Sequence, residues 1–556
     1  MANFFFDGSA SVTAAKSDVV VITANPALFT SQAQSGSNVV FTYNNGTTLT
    51  VTGTTLGDSA TTLPNVSLAG GTFATGATVN TTTVGQNSLY FNGSVENVTA
   101  PLTGTGAFTA NSVHAVFGGN GRSDPNDGTD TMDVGGKGSF LIYGNAGADT
   151  IAQGAAGTTG NAFDSTSFVT VFGGKNDLGN DSILFANTAN SGAKMAIYGG
   201  EGTDSINIFN TGTSANTAIY GGQGAADSTD LADSIAFNGG GTVNIFANAG
   251  NDVVTLGNFG SAGAGLDSTA NITVHGGIGS DTVAIKVANV AATVVAYGDE
   301  NIAGAANADS ITVTGTTGTT VIYGGTAAAD ANDNADVINF SGQGTATIFA
   351  AAGDDSVVIN TTGNLANLTT GAAVANSGAN ATANASSSTT VFLGNGNDSI
   401  NILNTGNGLT AATGTQSVTG GAGSDTFAIG INGDVTTANG SAQGSGNGIS
   451  ITDFAVGIDI LKVNNGVAGS ATVTVSNVAA GGSLQQALDL AANNATGNAA
   501  NGTAAAGTVS AVVFNGDTYV VVSNDTVSGF QANSDLAIKL TGVTDAATIA
   551  ANIVVV

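Results

Sequence analysis

Cysteine and tryptophan are absent from the 556-residue sequence, which also has only 4 prolines, 2 histidines and 8 lysine and arginine residues together. Without cysteine the protein forms neither disulfides nor thiolate-based metal or nucleophilic sites. The few basic residues stand against 38 acidic ones, and the net charge of −30 excludes the basic patches that nucleic-acid binding requires. No apolar run approaches the length of about 18 residues that crosses a membrane as a helix. We therefore expect no nucleic-acid partner and no transmembrane segment.

Sequence motifs of the common hydrolases are missing as well. There is no H-E-x-x-H zinc motif and no G-x-S-x-G nucleophile elbow. His114 and His275 each stand in a strand-like run before a glycine-rich turn, where a packing role is expected. A pair of carboxylates could hydrolyse a glycoside, but nearly all of the acidic residues stand in repeated turns. We therefore predict that the protein is not an enzyme, and keep an extracellular hydrolase as a third alternative.

The acidic residues are strongly biased towards aspartate. Of the 38 acidic residues only Glu96, Glu201 and Glu300 are glutamate, and glycine reaches 83 residues. Aspartate is the shorter acid, and it is favoured in turns and in tight oxygen cages for hard cations. The bias therefore predicts metal ions bound in turns.

Three regions differ in pattern. Residues 1–112 contain β-branched runs at 18–23, 39–43 and 47–52, with Asn-Asn-Gly between the last two. That arrangement is typical of a hairpin. We expect an N-terminal β domain here, for assembly or cell-surface anchoring.

Residues 113–430 repeat one unit, in which a short strand ends in an aromatic residue and a glycine-rich turn ends in an aspartate. Three copies match G-G-x-G-x-D in full, at Gly199–Asp204, Gly276–Asp281 and Gly420–Asp425. The final aspartates are never closer than 19 residues, as between Asp130 and Asp149. This spacing predicts a coil of two strands and two turns in which only one edge carries the motif. The degenerate copies are 144–149, 247–252, 350–355 and 393–398, and the extended copies are 118–130, 173–181, 221–233, 298–309 and 324–336.

Glycine at the first, second and fourth turn positions leaves backbone carbonyls bare, so that they can point at a common centre. The aspartate adds a carboxylate, and about six such oxygens at roughly 2.4 Å suit Ca²⁺. Calcium is thus the expected cofactor. The candidate metal-binding residues are Gly118, Asp124, Asp127, Asp130, Gly144, Asp149, Gly173, Asp177, Asp181, Gly199, Gly202, Asp204, Gly221, Asp227, Asp230, Asp233, Asp252, Gly276, Gly279, Asp281, Asp299, Asp309, Asp330, Asp333, Asp336, Asp355, Asp398, Gly420, Gly423 and Asp425.

The repeated turns resemble those of the RTX (repeats-in-toxin) family, whose nonapeptide repeats build a calcium-loaded parallel β-roll. In that family both turns of each coil usually carry the motif, whereas here only alternate turns do. The resemblance implies an all-β chain: a right-handed parallel β-roll or β-solenoid with an N-terminal β domain and a C-terminal β-rich cap. Calcium is expected along one edge, with loops along the other.

Residues 431–556 predict a third region, a cap. Thr452–Lys462 resembles the segment that closes many repeat proteins of type I secretion, and Ser483 precedes a short helical pattern. The segment from Val513 to Val543 resembles the end of RTX-type surface-layer proteins of Gram-negative bacteria, which implies an uncleaved type I export signal. In agreement, Met1–Asp7 has no basic residue and does not look like a Sec signal peptide.

The resemblance implies a secreted, extracellular protein at the surface of a Gram-negative bacterium. We expect a calcium-dependent structural protein that self-assembles into a two-dimensional surface layer (S-layer). Its partners would be further copies of itself, with cell-surface polysaccharide as a candidate second partner. The alternative from a different class is an RTX adhesin or biofilm-matrix protein that grips a glycan or a neighbouring cell.

Overall fold

A computed structural model describes most of the protein, which is nearly all β with long parallel sheets consistent with a β-solenoid. Contacts divide the chain into two compact units, Met1–Asp281 and Thr282–Val556. The described residues are 2–54, 66–68, 71–75, 87–91, 99–103, 112–153, 163, 167–174, 178–186, 193–210, 215–225, 227–257, 266, 270–287, 292–299, 307–315, 318–328, 331, 333–342, 344–360, 388–403, 415–429, 448–463, 473–475, 482–494, 508–523, 528–531 and 535–556.

The first unit begins with two small sheets. Their strands are β1 (Asn3–Phe6), β2 (Val12–Ala15), β3 (Val19–Ile22), β4 (Phe29–Ser35), β5 (Asn38–Tyr43), β6 (Thr48–Thr52) and β7 (Val66–Leu68), and a 3-10 turn spans Pro26–Leu28. The orders are β1-β3-β7 and β2-β6-β5-β4. The antiparallel pairing of β5 with β6 confirms the predicted hairpin. Phe6, Phe29 and Phe41 are fully buried in the core that both sheets share.

The rest of the first unit is a stack of parallel strands. They are β8 (Gly71–Thr75), β9 (Asn87–Phe91), β10 (Thr99–Thr103), β11 (Val113–Phe117), β12 (Thr131–Gly135), β13 (Ser139–Asn145), β14 (Thr150–Ala152), β15 (Phe168–Gly174), β16 (Ser182–Ala186), β17 (Lys194–Tyr198), β18 (Ser205–Asn210), β19 (Asn216–Tyr220), β20 (Ser234–Gly239), β21 (Thr242–Phe246), β22 (Val253–Leu256) and β23 (Asn271–Gly277). One sheet contains β8, β9 and the odd strands from β11, and the other contains the even strands from β10. Parallel stacking therefore begins at Gly71, ahead of the aspartate-containing turns.

Strand residues alternate between the interior of the solenoid and its outer surface. On β17 and β18, for example, Met195, Ile197, Ile206 and Ile208 are buried. The residues between them face outwards and are half-buried or exposed. This period of two is the expected pattern for strands with one face in a core. It explains how short apolar runs in a glycine-rich sequence still build a continuous core.

The aromatic residues that end many of the odd strands form stacked columns. Successive rings are nearly parallel, with centroids 4.7 Å apart for Phe172 and Tyr198 and 4.6 Å apart for Tyr198 and Tyr220. His275 stacks on Phe246 at 4.8 Å, and burial lowers its pKa to about 4. The histidine is therefore neutral near pH 7 and packs as part of the column, as predicted.

Arg122 joins the first aspartate-containing turn to the N-terminal sheet. Its guanidinium donates hydrogen bonds to the carbonyl oxygens of Phe29 (3.1 Å) and Ala27 (2.5 Å). The backbone of residues 120–122 also pairs with β4, through hydrogen bonds of 2.6 and 2.9 Å. The turn thus supplies an extra edge to the four-stranded sheet.

We expect Arg122→Ala to loosen the N-terminal sheets without unfolding the solenoid, because hydrogen bonds from a charged group contribute about 1.5–3 kcal/mol each. Limited proteolysis with mass spectrometry should show cleavage before residue 113 accelerated by roughly tenfold or more. Lys194→Ala removes the same charge from an exposed strand position and serves as the control. Equal cleavage rates in the two variants would contradict the assigned role.

The second unit continues the same strand pattern. Its strands are β24 (Thr282–Lys286), β25 (Thr293–Asp299), β26 (Ser310–Thr314), β27 (Thr319–Tyr323), β28 (Val337–Ser341), β29 (Thr345–Phe349), β30 (Ser356–Asn360), β31 (Ser388–Asn395), β32 (Ser399–Leu403), β33 (Thr415–Ala422), β34 (Thr426–Ile429), β35 (Gly448–Ile451) and β36 (Ile460–Val463). Odd strands pair with odd strands and even with even, always in parallel.

The C-terminal residues cap the second unit. They form β37 (Val473–Val475), α1 (Leu484–Asn494), β38 (Thr508–Phe514), β39 (Asp517–Ser523), β40 (Leu536–Leu540) and β41 (Ile553–Val555), with a 3-10 turn at Thr548–Asn552. β40 pairs with β35 and β41 pairs with β36, so each sheet gains a final strand. The predicted helix is present, and the hydroxyl of Ser483 accepts a hydrogen bond from Gln486 N (3.3 Å). No helix among the described residues is long and apolar enough to span a membrane.

Candidate metal centre

The aspartates that end successive turns form a hydrogen-bonded column in each unit, which we call the aspartate ladder. After the first aspartate of each unit, the Oδ1 atom of every ladder aspartate accepts a hydrogen bond from the backbone N–H of the aspartate one coil earlier, as from Asp204 to Asp233 (2.7 Å). Each ladder residue is at most 3% exposed. The ladder contains Asp130, Asp149, Asp181, Asp204, Asp233, Asp252 and Asp281 in the first unit, and Asp309, Asp336, Asp355, Asp398, Asp425 and Asp459 in the second.

The ladder forms because each of these aspartates is also the first residue to pair with the next coil. The carbonyl oxygen of Asp204, for example, accepts a hydrogen bond from Ser234 N at 2.8 Å, and that of Asp336 accepts one from Ser356 N at 2.8 Å. Parallel pairing in register then places each carboxylate directly above the previous one. The structure thus brings the predicted terminal aspartates together within each unit.

Asp459 is a ladder residue that the sequence analysis missed. Its Oδ1 accepts a hydrogen bond from Asp425 N at 3.0 Å, and its Oδ2 accepts one from Ala455 N at 2.7 Å. Nearby, the carboxylate of Asp453 accepts hydrogen bonds from the N–H groups of Gly420 and Gly421, both at 2.8 Å. The Thr452–Lys462 segment contained the signal, because Asp459 precedes a strand-like run as every other ladder aspartate does.

The second carboxylate oxygen of the ladder residues packs into the turn. Burying a charged oxygen without a partner costs several kcal/mol or forces the group to take up a proton. The ladder therefore contains buried acceptor oxygens that a cation would satisfy. Buried Oδ2 atoms without a hydrogen-bond partner belong to Asp233, Asp252, Asp336, Asp355 and Asp398.

Glycine at the first turn position leaves room for two oxygens to converge. A Cβ added to Gly199, for example, would collide with Oδ2 of Asp204 and with the carbonyl oxygen of Gly221 in the next coil. Carboxylate and carbonyl oxygens together are the ligands that Ca²⁺ prefers. The same pair of oxygens meets at Gly118, Gly144, Gly173, Gly221, Gly298 and Gly324.

Three of the degenerate turns lack this space. Ala247, Ala350 and Leu393 stand where the other turns have their first glycine, and all three are buried. No three acidic or histidine side chains come close enough to hold a metal ion by themselves in the described part of the chain. A cation at the ladder would consequently need backbone carbonyls among its ligands, as the glycine-rich turns provide.

Burial raises the pKa of several ladder carboxyl groups. It raises the pKa of Asp252 to about 7, and the pKa of Asp355 to about 7, with the Asp398 carboxylate adding to the effect on Asp355. Burial raises the pKa of Asp398 to about 6. For Asp233 and Asp336 burial is again the main cause, and a second carboxylate in the same turn raises the pKa further. Without cations, protons would therefore compensate part of the buried charge near neutral pH.

Five further predicted aspartates lie outside the ladder. Asp124 and Asp227 accept hydrogen bonds from within their own turns. Oδ2 of Asp124 accepts one from Asn120 N, and Oδ2 of Asp227 accepts one from Gln223 N, both at 3.0 Å. Asp299 is fully buried at the second position of its turn. Asp177 and Asp330 lie outside the described residues.

Comparison with known proteins does not assign the chain to a family. No protein-family model and no curated protein sequence matches the chain.

Proposed function

We propose that the protein is a secreted structural protein whose fold depends on calcium and which self-assembles into an extracellular surface layer. The observation that carries this proposal is the aspartate ladder, a column of buried carboxylates along the turns of each unit. A ladder of this kind has no evident catalytic use, because within each unit its residues follow one another coil by coil instead of converging on one cleft.

Electrostatics links the ladder to calcium. Neighbouring strands lie about 4.8 Å apart, and two ionised carboxylates at that distance repel each other by about 3 kcal/mol at an effective dielectric constant near 20. Each ladder residue adds another such contact. Calcium would offset the repulsion, and sites of extracellular strength, roughly 10⁻⁴–10⁻³ M, would fill outside the cell and stay empty in the cytoplasm.

The surfaces of the strands support self-assembly. Although the chain has a net charge of −30, strands β11 to β36 contain only five charged residues. They are Asp133, Lys194, Lys286, Lys462 and the buried Asp299. The uncharged outward-facing positions are mostly Ser, Thr, Asn, Ala and aromatic residues. Because the negative charge is concentrated in the turns, strand faces of two copies could approach with little repulsion.

Electron microscopy of the purified protein tests this function. We expect two-dimensional sheets in negative stain after addition of millimolar calcium, and dispersed particles in a chelator. Monomers or one-dimensional fibres in calcium would contradict the surface-layer function and would favour the adhesin or biofilm-matrix alternative.

A further inference from the structure

Three of the aspartate-containing turns are long and closely matched, and we call them the long turns: Gly118–Asp130, Gly221–Asp233 and Gly324–Asp336. Each has thirteen residues with aspartate at the seventh, tenth and last positions. Each long turn begins 103 residues after the one before it. The ladder needs only the last of the three aspartates, so the two others require a separate explanation.

The first aspartate of a long turn shapes its backbone. In the first turn Oδ1 of Asp124 accepts a hydrogen bond from Asn126 N at 3.1 Å. In the second turn Oδ1 of Asp227 accepts one from Thr229 N, also at 3.1 Å. The two turns thus fold alike, although most of their other residues differ, and this explains the first acid without a cation.

The central aspartate is buried beside the ladder aspartate. Asp230 is 5% exposed and Asp233 is 3% exposed. Oδ2 of each is buried and has no hydrogen-bond partner. In the first long turn neither carboxylate oxygen of Asp127 has one. A solvated acidic loop would expose these groups, so this is a buried pair of like charges that only protons or a cation can compensate.

The carboxylate oxygens of the turn lie against two consecutive glycines. A Cβ added to Gly222 would lie 2.7 Å from Oδ2 of Asp230 and 2.8 Å from Oδ2 of Asp227. A Cβ on the adjacent Gly221 would collide with Oδ2 of Asp233 and with the carbonyl oxygen of Ala247. Carboxylate and carbonyl oxygens therefore surround two consecutive glycines. In the first long turn, Oδ2 of Asp127 lies 2.6 Å from the same point beside Gly119.

We propose that each long turn binds one divalent cation within itself, through its central and its ladder aspartate, as a class of site separate from the rest of the ladder. The pairs are Asp127 with Asp130, Asp230 with Asp233, and Asp333 with Asp336. Two carboxylates make these the most negative sites of the solenoid, so calcium fills them before the single-carboxylate positions. The proposal rests on the proposed calcium dependence of the fold.

In the first long turn, a bound cation would also stabilise the contact with the N-terminal sheet. The same turn presents residues 120–122 and the Arg122 side chain to the N-terminal sheet. A cation between Asp127 and Asp130 would hold that turn in shape, and so would hold the sheet in place. The second long turn has Ala225 where the first has Arg122, so its cation has no such effect.

The test counts calcium ions bound to the full chain, by equilibrium dialysis and metal analysis at a free concentration that fills only the tightest sites. We expect Asp230→Asn to lose one ion per chain, and the triple variant Asp127→Asn, Asp230→Asn, Asp333→Asn to lose three. Asp354→Asn removes the same charge from an exposed turn position and should lose none. Proteolysis before residue 113 should accelerate in Asp127→Asn and not in Asp230→Asn.

Two outcomes would overturn the inference, and they differ from failure of the proposed function. A triple variant that keeps its β-sheet circular dichroism and binds as many ions as the unaltered protein would exclude the long-turn sites alone. If the triple variant does not fold, each folded single variant must still lose one ion, and an unchanged number would exclude the sites equally. An unaltered protein that binds no calcium at all would exclude the proposed function as well.

Discussion

Removing divalent cations at pH 8 should abolish most of the β-sheet circular-dichroism signal of the purified protein, and millimolar calcium should restore it. The physical reason is the ladder, in which Asp252, Asp355 and Asp398 have pKa values of about 7, 7 and 6 and therefore become buried negative charges at this pH. Magnesium at the same concentration is the control. We expect it to restore much less signal, because Mg²⁺ demands a tighter octahedron and gives up its water reluctantly.

The same ladder predicts an unusual pH dependence for the calcium-free protein. Folded-state pKa values of about 7 for Asp252 and Asp355 lie above the value of 3.8 for an unfolded aspartate. The folded chain therefore binds more protons than the unfolded chain between about pH 4 and the raised pKa values, and its stability falls as pH rises through that window. In a chelator we expect the melting temperature at pH 5 to exceed that at pH 8 by roughly 10 °C or more.

Calcium should remove this pH dependence at and above neutral pH, because a bound cation replaces the protons that the carboxyl groups release. Two results would contradict this explanation. One is a full β-sheet signal in a chelator at pH 8. The other is a calcium-free protein whose melting temperature rises between pH 5 and pH 8, since that would require ladder aspartates with lowered pKa values.

Gly279→Ala should be the most damaging conservative substitution in the turns. Gly279 has φ +138°, where residues with a side chain are strained, and an added Cβ would overlap the carbonyl oxygen of Gly250 in the preceding coil. Backbone strain of this kind costs about 1–3 kcal/mol, and the overlap forces two coils apart in addition. We expect a loss of roughly 3 kcal/mol or more of unfolding free energy, and a higher calcium concentration at the folding midpoint.

Gly224→Ala is the matched control for this substitution. Gly224 is the fourth residue of its turn, as Gly279 is of its own, but an added Cβ would meet no atom within 4 Å. We expect its melting temperature and calcium midpoint to stay close to those of the unaltered protein. Equal losses in the two variants would show that glycine matters for turn flexibility in general, and not for the close approach of successive coils.

Much of the fold and of the candidate site could be predicted from local sequence. The hairpin of β5 and β6, the helix after Ser483 and the stacked aromatic column each follow from a short-range pattern, and each is present. Asp459 could not be assigned in the same way, because its turn does not match the glycine motif and only its pairing with Asp425 shows its role. The different role of Asp227 was also hidden, since three similar acids in one turn look alike until their hydrogen bonds are known.

The sequence by itself determined the period of the coil, the strand order that this period implies and the concentration of aspartate in one set of turns. Those properties depend on residue spacing and on the intrinsic preferences of glycine and aspartate. Only the tertiary structure decided which carboxylate oxygens of the ladder aspartates accept a hydrogen bond and which do not. That outcome depends on how one coil stacks on the next, because after the first aspartate of each unit the Oδ1 of every ladder aspartate accepts a hydrogen bond from a backbone N–H 19 or more residues away. The same stacking buries the Oδ2 atoms of Asp233, Asp252, Asp336, Asp355 and Asp398 without a hydrogen-bond partner and leaves them to a proton or a cation.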